Sequence, residues 1–118
     1  MSEVFIKRIY DPASEVDGFR VLVDRLWPRG VSKENAALDM WAKDMAPSNE
    51  LRRKYHNNLV QFDLFRDNYI KELENNEETK AFVSSINSRL NEANVTLLTA
   101  SKNVVENHAT VLRELILK

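Results

Sequence analysis

Two guanidinium groups, a carboxylate and an indole stand close together in the segment Asp24-Arg25-Leu26-Trp27-Pro28-Arg29-Gly30. Arginine binds phosphate or carboxylate oxygens through two parallel N–H groups, and an indole face can stack on a planar group. Arg25 and Arg29 are therefore candidate anion ligands, with Trp27 as a stacking surface. Lys33 at the start of a predicted helix would add to such a site, because a helix N-terminus carries free N–H groups and partial positive charge.

The same segment has a purely structural interpretation. Asp24 and Arg25 would then pair with other charges of the chain, and Trp27 would belong to the core. A second polar cluster, near Trp41, has the same two interpretations, ligand binding and structure. It comprises Lys43, Ser48 and Arg52, together with Trp41 and Asp44. These residues are candidates for ligand binding, although a serine before a polar first turn is also typical of an ordinary helix cap.

His108 follows the last predicted strand and lies in the first turn of a predicted helix. The helix dipole favours neutral imidazole there, and neutral imidazole can act as a general base. His108 and Asp24 are therefore the candidate catalytic residues, and Asn107 is a candidate ligand-binding residue. The alternative is that Asn107 and His108 are only polar residues of a helix start.

Metal and covalent chemistry have little support in this sequence, which contains two histidines and no cysteine. Thiolate ligands and nucleophiles are excluded, and a site of three histidines is impossible. No Gly-rich phosphate loop and no nucleophile elbow is present. We predict no metal site, the cofactor remains unknown, and the sequence leaves open whether the chain is an enzyme.

Hydrophobic periodicity predicts strands that alternate with helices. Strands are predicted at 4–10, 19–23 and 95–100, and the ambiguous segment 38–45 favours a strand. Helices are predicted at 32–37, from 48 toward 55, along 59–73, from 76 and after 103. Asn103 and Glu106 resemble a capping box for the last helix. The pattern predicts an α/β fold, a small three-layer sandwich with a mostly parallel sheet of about four strands and 19–23 at its centre.

In such sheets ligands bind beyond the C-terminal ends of the strands. The candidate residues follow Val23, Met45 and Ala100, which are predicted strand ends or lie close to them. We therefore expect the three loops to meet in space.

The 118 residues, 43% of them hydrophobic, suit one core, so we predict a single domain over residues 1–118. A net charge of -1 gives no strong attraction to nucleic acid or acidic membranes. Charges interrupt the first apolar run too early for a signal peptide, and no apolar stretch approaches the roughly 20 residues of a spanning helix. We predict a cytoplasmic protein that is not inserted in a membrane.

The run Arg20-Val21-Leu22-Val23-Asp24-Arg25-Leu26-Trp27-Pro28-Arg29-Gly30, followed by Lys33, resembles the signature of the YeaO-like proteins, a bacterial domain family of unknown function. Further resemblance lies in Trp41, Lys43, Ala46-Pro47-Ser48, Glu50-Leu51-Arg52, Tyr69, Glu72-Leu73, Thr96-Leu97-Leu98, Asn107 and Ala109. The resemblance covers essentially the whole chain and implies a small cytosolic domain with no established activity. Ser101-Lys102-Asn103 departs from the family pattern, in which an acidic residue is expected after the lysine.

Three functional hypotheses remain open from the sequence. The first is a pocket protein or enzyme for a small anionic, nucleotide-like ligand. The second is a non-enzymatic module that uses exposed arginine and tryptophan as anchors for a protein partner, and a flat surface around Trp27 would favour it. The third is nucleic-acid binding, which the net charge weakens. The oligomeric state is open between monomer and homodimer.

Overall fold

The computed structural model describes residues 2–103 and 105–118. The strands are β1 (Val4–Arg8), β2 (Phe19–Leu22), β3 (Met40–Trp41) and β4 (Val95–Thr99). The helices are α1 (Lys33–Ala36), α2 (Asn49–His56), α3 (Phe62–Glu74), α4 (Thr79–Leu90) and α5 (His108–Leu117), and short 3-10 helices span Glu15–Asp17 and Lys43–Met45. None of the described helices is long and apolar enough to cross a membrane.

The four strands form one parallel sheet in the order β1-β4-β2-β3. Every residue of β4 is buried, as expected for an interior parallel strand covered on both faces. The apolar run of β2 predicted a central strand, and β2 does lie between β4 and β3. The predicted α/β class with a parallel sheet of four strands is confirmed.

The two faces of the sheet are covered unequally. On one face, Val21, Val95 and Leu97 join a large apolar cluster with residues from helices α2 to α5. On the other face, Leu22 and Leu98 join a small cluster with Ala36 of α1. Because α1 has only four residues, the segment 24–38 covers much of this second face. The outer layer on that side is therefore thin.

A buried ion pair fastens α1 to the second face. Arg20 of β2 and Asp17 are both buried and bonded to each other, and Lys7 Nζ lies 3.0 Å from the same carboxylate. Arg20 Nε and Nη2 also donate to the carbonyl oxygen of Ala36 at 3.2 and 2.9 Å, and Nε donates to that of Ala37 at 3.2 Å. Buried charges persist where they are paired and hydrogen-bonded, and here they hold the end of α1 against the sheet.

The prediction for the third helix is one turn too long. Phe65, Tyr69 and Leu73 form its buried stripe, but α3 begins only at Phe62. Leu59 fits the same spacing and is 72% exposed, outside the helix. The chain turns at Asn58, which has a φ of 60°, a left-handed conformation that asparagine tolerates better than most residues.

The predicted strand at 38–45 is wrong over most of its length. Only Met40 and Trp41 pair with β2, opposite Val21 and Leu22. The chain then turns into the 3-10 helix Lys43–Met45, so the ambiguity between strand and helix reflects a segment that contains both.

The predicted capping box at Asn103 is also wrong. Asn103 Oδ1 accepts the amides of Val105 and Glu106, which makes a local turn before the helix. The cap of α5 is Asn107, whose Oδ1 accepts the amide of Thr110 at 3.0 Å. Both asparagines have a polar partner three residues later, so spacing alone did not distinguish the turn from the cap.

Candidate functional site

The loops that follow β2, β3 and β4 meet at the C-terminal edge of the sheet. Asp24 lies beyond the end of β2, and its neighbours come from the other two strands. Trp41 of β3 donates its indole N–H to the carbonyl oxygen of Asp24 at 2.8 Å. The amide of Ala100, just after β4, donates to the Asp24 carboxylate at 2.8 Å. Because all strands are parallel, their C-terminal ends share one edge and bring these residues together.

The Asp24 carboxylate accepts hydrogen bonds from three groups of the chain. Oδ1 accepts from Thr99 Oγ1 at 2.8 Å and lies 2.9 Å from His108 Nε2, while Oδ2 accepts from the amide of Ala100. Burial alone would raise the pKa of Asp24, but the donors on His108, Ala100 and Thr99 and the charge of His108 outweigh it, and the pKa is lowered. The carboxylate therefore ties β2, β4 and α5 together as an anion.

His108 is the first residue of α5, and its ring orientation is set by two oxygens. Nε2 lies 2.9 Å from Asp24 Oδ1 and 3.1 Å from the carbonyl oxygen of Val23. Because both neighbours are acceptors, we assign a proton to Nε2. The ring also packs edge-on against Tyr69, with centroids 6.4 Å apart. The arrangement fixes the orientation of the imidazole ring and directs its Nε2–H group at Asp24 and the carbonyl oxygen of Val23.

Asp24→Asn is expected to lower the free energy of unfolding at pH 7 by about 1–3 kcal/mol, because the remaining donors lose a charged acceptor. A carboxylate with a lowered pKa in the fold stabilises the domain above its ordinary pKa of about 3.9, and that contribution is lost as the pH falls through the lower folded value. The difference between wild type and variant, measured by urea unfolding, should therefore shrink below about pH 4.

Asp44→Asn is the matched control, since Asp44 is exposed and no hydrogen bond to its carboxylate is found among the described residues. Its unfolding should follow the wild-type pH dependence. A difference between wild type and Asp24→Asn that stayed constant down to pH 2 would contradict the assigned role of the Asp24 charge.

Arg25 is half-buried and bonded to the loop after β3. Its Nη2 donates to the carbonyl oxygens of Ala46 and Pro47, at 3.1 and 3.3 Å. Its Nε is buried with no hydrogen-bond partner. Among the described residues no carboxylate forms a salt bridge with this guanidinium. Its charge nevertheless acts on Tyr69. Burial and the negative charge of Glu72 raise the pKa of the Tyr69 hydroxyl, and the positive charge of Arg25 opposes that rise.

The two tryptophans build the surface beside Asp24. Their rings meet edge to face, with centroids 5.4 Å apart. Trp27 Nε1 donates to the carbonyl oxygen of Val31 at 2.7 Å, which closes the loop on which Trp27 stands. Both indole N–H groups are therefore bonded to backbone oxygens, and Trp41 remains 38% exposed. Lys43 lies over the Trp41 ring at 5.1 Å from its centroid.

Ser48 and Asn107 act as helix caps in this structure. Ser48 Oγ accepts the amide of Leu51 at 3.2 Å and also bonds the carboxylate of Glu72 at 2.6 Å. Asn107 is buried, and its Nδ2 donates to the carbonyl oxygen of Asn103 at 2.6 Å. The polar atoms of both side chains are engaged within the chain.

The remaining candidates, Arg29, Lys33 and Arg52, have exposed side chains that are not gathered around Asp24 by any contact found among the described residues. The positions of these three cationic side chains therefore do not define a shared ligand site. The structure thus brings Asp24, His108 and Trp41 into one cluster, while Arg25 is bonded to the backbone of Ala46 and Pro47.

Reasoning from the sequence missed the polar roles of Tyr69, Glu72 and Thr99 at this edge. The periodicity treated Tyr69 as an apolar helix position and the resemblance named it without a role, yet its buried hydroxyl donates to the carbonyl oxygen of Met45. A tyrosine among apolar helix positions was the available signal, because a buried phenol needs an acceptor. For Glu72 and Thr99 the periodicity carried no comparable signal.

Among the concavities formed by the described residues are two that include no residue of the segment 24–30. One of about 320 Å³ lies between α4 and α5 and is lined by Val83 and Leu115, among others. The other, of about 470 Å³, lies between the α2–α3 turn and Glu106. No group of three or more histidine, aspartate or glutamate side chains suited to a metal ion occurs in the described part of the chain.

Comparison with known proteins places these residues in a family. Residues 3–118 match the family described as "Inactive DUF488-N3 subclade". The chain is 44% identical over 108 residues to the uncharacterized protein YeaO of Escherichia coli K12, covering 92% of this chain and 91% of that protein. It is 37% identical over 115 residues to the uncharacterized protein Mb3100c of Mycobacterium bovis, covering 98% and 94%.

No solved structure is significantly similar to the chain. The family match spans nearly the full sequence, and both of these relatives are bacterial proteins described as uncharacterized. The chain therefore belongs to the YeaO-like proteins, within the family described as the inactive DUF488-N3 subclade.

Proposed function

We propose that this domain is a non-enzymatic interaction module that binds a protein partner through the exposed part of the C-terminal edge. We call this surface the edge patch and define it by Tyr10, Leu26, Arg29 and Trp41. The proposal rests on one observation: the Asp24 carboxylate, the Arg25 Nη2 group and the Trp27 indole N–H are bonded within the chain, while Leu26 is left 67% exposed.

The edge patch has the composition of a protein interface. Tyrosine, tryptophan and arginine are the residue types most enriched among interface anchors. Tyr10 is 46% exposed and its hydroxyl donates to the carbonyl oxygen of Arg29 at 3.2 Å, which ties the end of β1 to the same loop. Trp41 is fixed by Trp27 and by the carbonyl oxygen of Asp24. Anchors held in place before binding lose less entropy when a partner docks.

The arrangement of Asp24 and His108 supports a scaffolding role over catalysis. The carboxylate already accepts hydrogen bonds from three groups of the chain, so it positions the imidazole and α5 more readily than it would take a proton from a ligand. Neither concavity lies at the segment 24–30. The description of the family as inactive also supports binding without turnover.

The test is site-specific photo-crosslinking in living bacterial cells, with p-benzoylphenylalanine placed at Leu26. We expect a discrete crosslinked protein, and we expect Arg29→Glu in the same chain to remove it, because the charge reversal alters the patch without touching a buried contact. Arg53→Glu, an exposed arginine of α2, is the matched control and should leave the crosslink in place.

A second crosslinking position tests whether capture is specific to the edge patch or follows from exposure of the side chain alone. Leu64 of α3 is 51% exposed and lies outside the patch, so p-benzoylphenylalanine there should not capture the same protein. Equal capture at both positions, or a crosslink that survives Arg29→Glu, would count against the proposal.

A second function, binding of a small anion at Arg25, is favoured by the buried Nε without a partner and by the absence of a carboxylate counter-ion among the described residues. The negative charges of Asp24 and Glu72 oppose it, because they would repel a bound anion. Both charges act on the Tyr69 hydroxyl, on which the charge of Arg25 also acts. Saturable stabilisation by phosphate or AMP, lost in Arg25→Gln and kept in Arg53→Gln, would favour this second function.

A further inference from the structure

The concavity between the α2–α3 turn and the loop before α5 has a lining unlike the edge patch. Two aromatic rings, Tyr55 and Phe62, line it, with centroids 5.9 Å apart at an angle of 51°. Two carboxylates, Glu106 and Asp63, line it as well, and no lysine or arginine does. Its volume of about 470 Å³ lies within the range of small-ligand sites.

We propose that this groove, lined by Tyr55, Phe62, Asp63 and Glu106, binds an organic cation of side-chain size, such as a guanidinium or an alkylammonium group. Aromatic faces attract cations through the ring quadrupole, and carboxylates accept charge-assisted hydrogen bonds from N–H groups. A groove that combines rings with carboxylates matches both the apolar stem and the charged head of such a ligand.

The rings are fixed before any ligand arrives. Tyr55 stacks on Phe65 with centroids 4.5 Å apart, and its hydroxyl donates to the carbonyl oxygen of Glu106 at 2.9 Å. Burial raises the pKa of Tyr55, and the negative charge of Glu106 raises it further. The Glu106 charge is therefore close enough to act on the groove wall.

The two carboxylates are not equivalent. Asp63 lies in the first turn of α3, where its negative charge interacts with the partial positive charge of the helix N-terminus. Asp63 also interacts electrostatically with Arg66. Glu106 is exposed and forms no salt bridge with the described residues. Glu106 should therefore contribute more to cation binding than Asp63.

The experiment is a titration of the full chain with methylguanidinium chloride and with methylammonium chloride, followed by the NMR signals of the side-chain amides of Asn58 and Gln61. Both amides line the groove and report directly on a bound cation. We expect saturable shifts confined to the groove, and sodium chloride at the same ionic strength should give none. The tighter of the two probes identifies the preferred head group.

Glu106→Gln should raise the dissociation constant about fivefold or more, because a charge-assisted hydrogen bond is replaced by a neutral one. Asp67→Asn is the matched control, since Asp67 is exposed on the same helix and outside the groove, where it pairs only with Arg66 among the described residues. Its dissociation constant should equal that of the wild type.

Each alternative outcome would overturn the proposal. Shifts that do not saturate, shifts reproduced by sodium chloride, or equal dissociation constants in Glu106→Gln and the wild type would show that the groove does not select an organic cation. The substituted carboxylates are exposed, so a change in folding is not expected and the backbone spectrum checks it directly.

Discussion

Gly18→Ala is expected to lower the free energy of unfolding by about 3 kcal/mol or more, enough to unfold a large share of a domain of this size at 37 °C. Gly18 precedes β2 with a φ of 65°, and a Cβ there would lie 2.0 Å from the carbonyl oxygen of Asn94. That oxygen also accepts the amide of Phe19 at 2.8 Å, so it cannot move away without breaking the start of the sheet. Urea unfolding monitored by circular dichroism measures the loss.

Gly30→Ala is the matched control for this clash. Gly30 also has a positive φ, 78°, but no atom lies within 4 Å of an added Cβ. Its cost should be confined to the left-handed backbone, about 1–2 kcal/mol. Equal losses in the two variants would show that the contact with Asn94 does not limit this site.

Arg20→Met is expected to destabilise the domain by about 3–5 kcal/mol, because the Asp17 carboxylate loses its buried partner and keeps only Lys7, which is partly exposed, as a cationic partner. The substitution also leaves the carbonyl oxygens of Ala36 and Ala37 without their donor. Since these bonds hold α1 against the thinly covered face, amide hydrogen exchange in 33–37 should accelerate more than exchange in α3.

Lys7→Met removes the other cationic partner of the Asp17 carboxylate. Lys7 Nζ bonds Asp17 at 3.0 Å but is partly exposed and touches no carbonyl of α1. Its loss should cost about 1 kcal/mol. A cost equal to that of Arg20→Met would mean that the bonds to Ala36 and Ala37 add nothing.

Acid should weaken the wild-type domain through Asp17 in the same direction as through Asp24. Burial raises the pKa of Asp17, but hydrogen bonds from Lys7, the Ser14 amide and Arg20 lower it by more. Its stabilising contribution is present above its ordinary pKa and disappears as the pH falls through the lower folded value. The two carboxylates thus anchor opposite ends of β2 and respond alike to acid.

Sequence reasoning predicted that the loops after the strands meet, but it did not predict the contacts that their residues make. Asp24 and His108 were expected near one another because both follow strands of a parallel sheet, and they lie 2.9 Å apart. Whether they serve a ligand or the scaffold depends on the donors around Asp24, and two of these, Thr99 and the Ala100 amide, come from a strand more than 70 residues away. Local periodicity carries no information on such pairings.

The sequence by itself determined the α/β class, the central position of β2 and the strand character of β4, because a run of apolar β-branched residues has few other ways to bury both faces. It also determined the helix starts at Ser32 and Ser48, where the cap and its amide partner are only three residues apart. These features depend on local chemistry. Only the tertiary structure decided that Asp24 and Arg25 are bonded within the chain and that Leu26 is exposed, because hydrogen-bond partners and burial depend on residues that distant segments bring together.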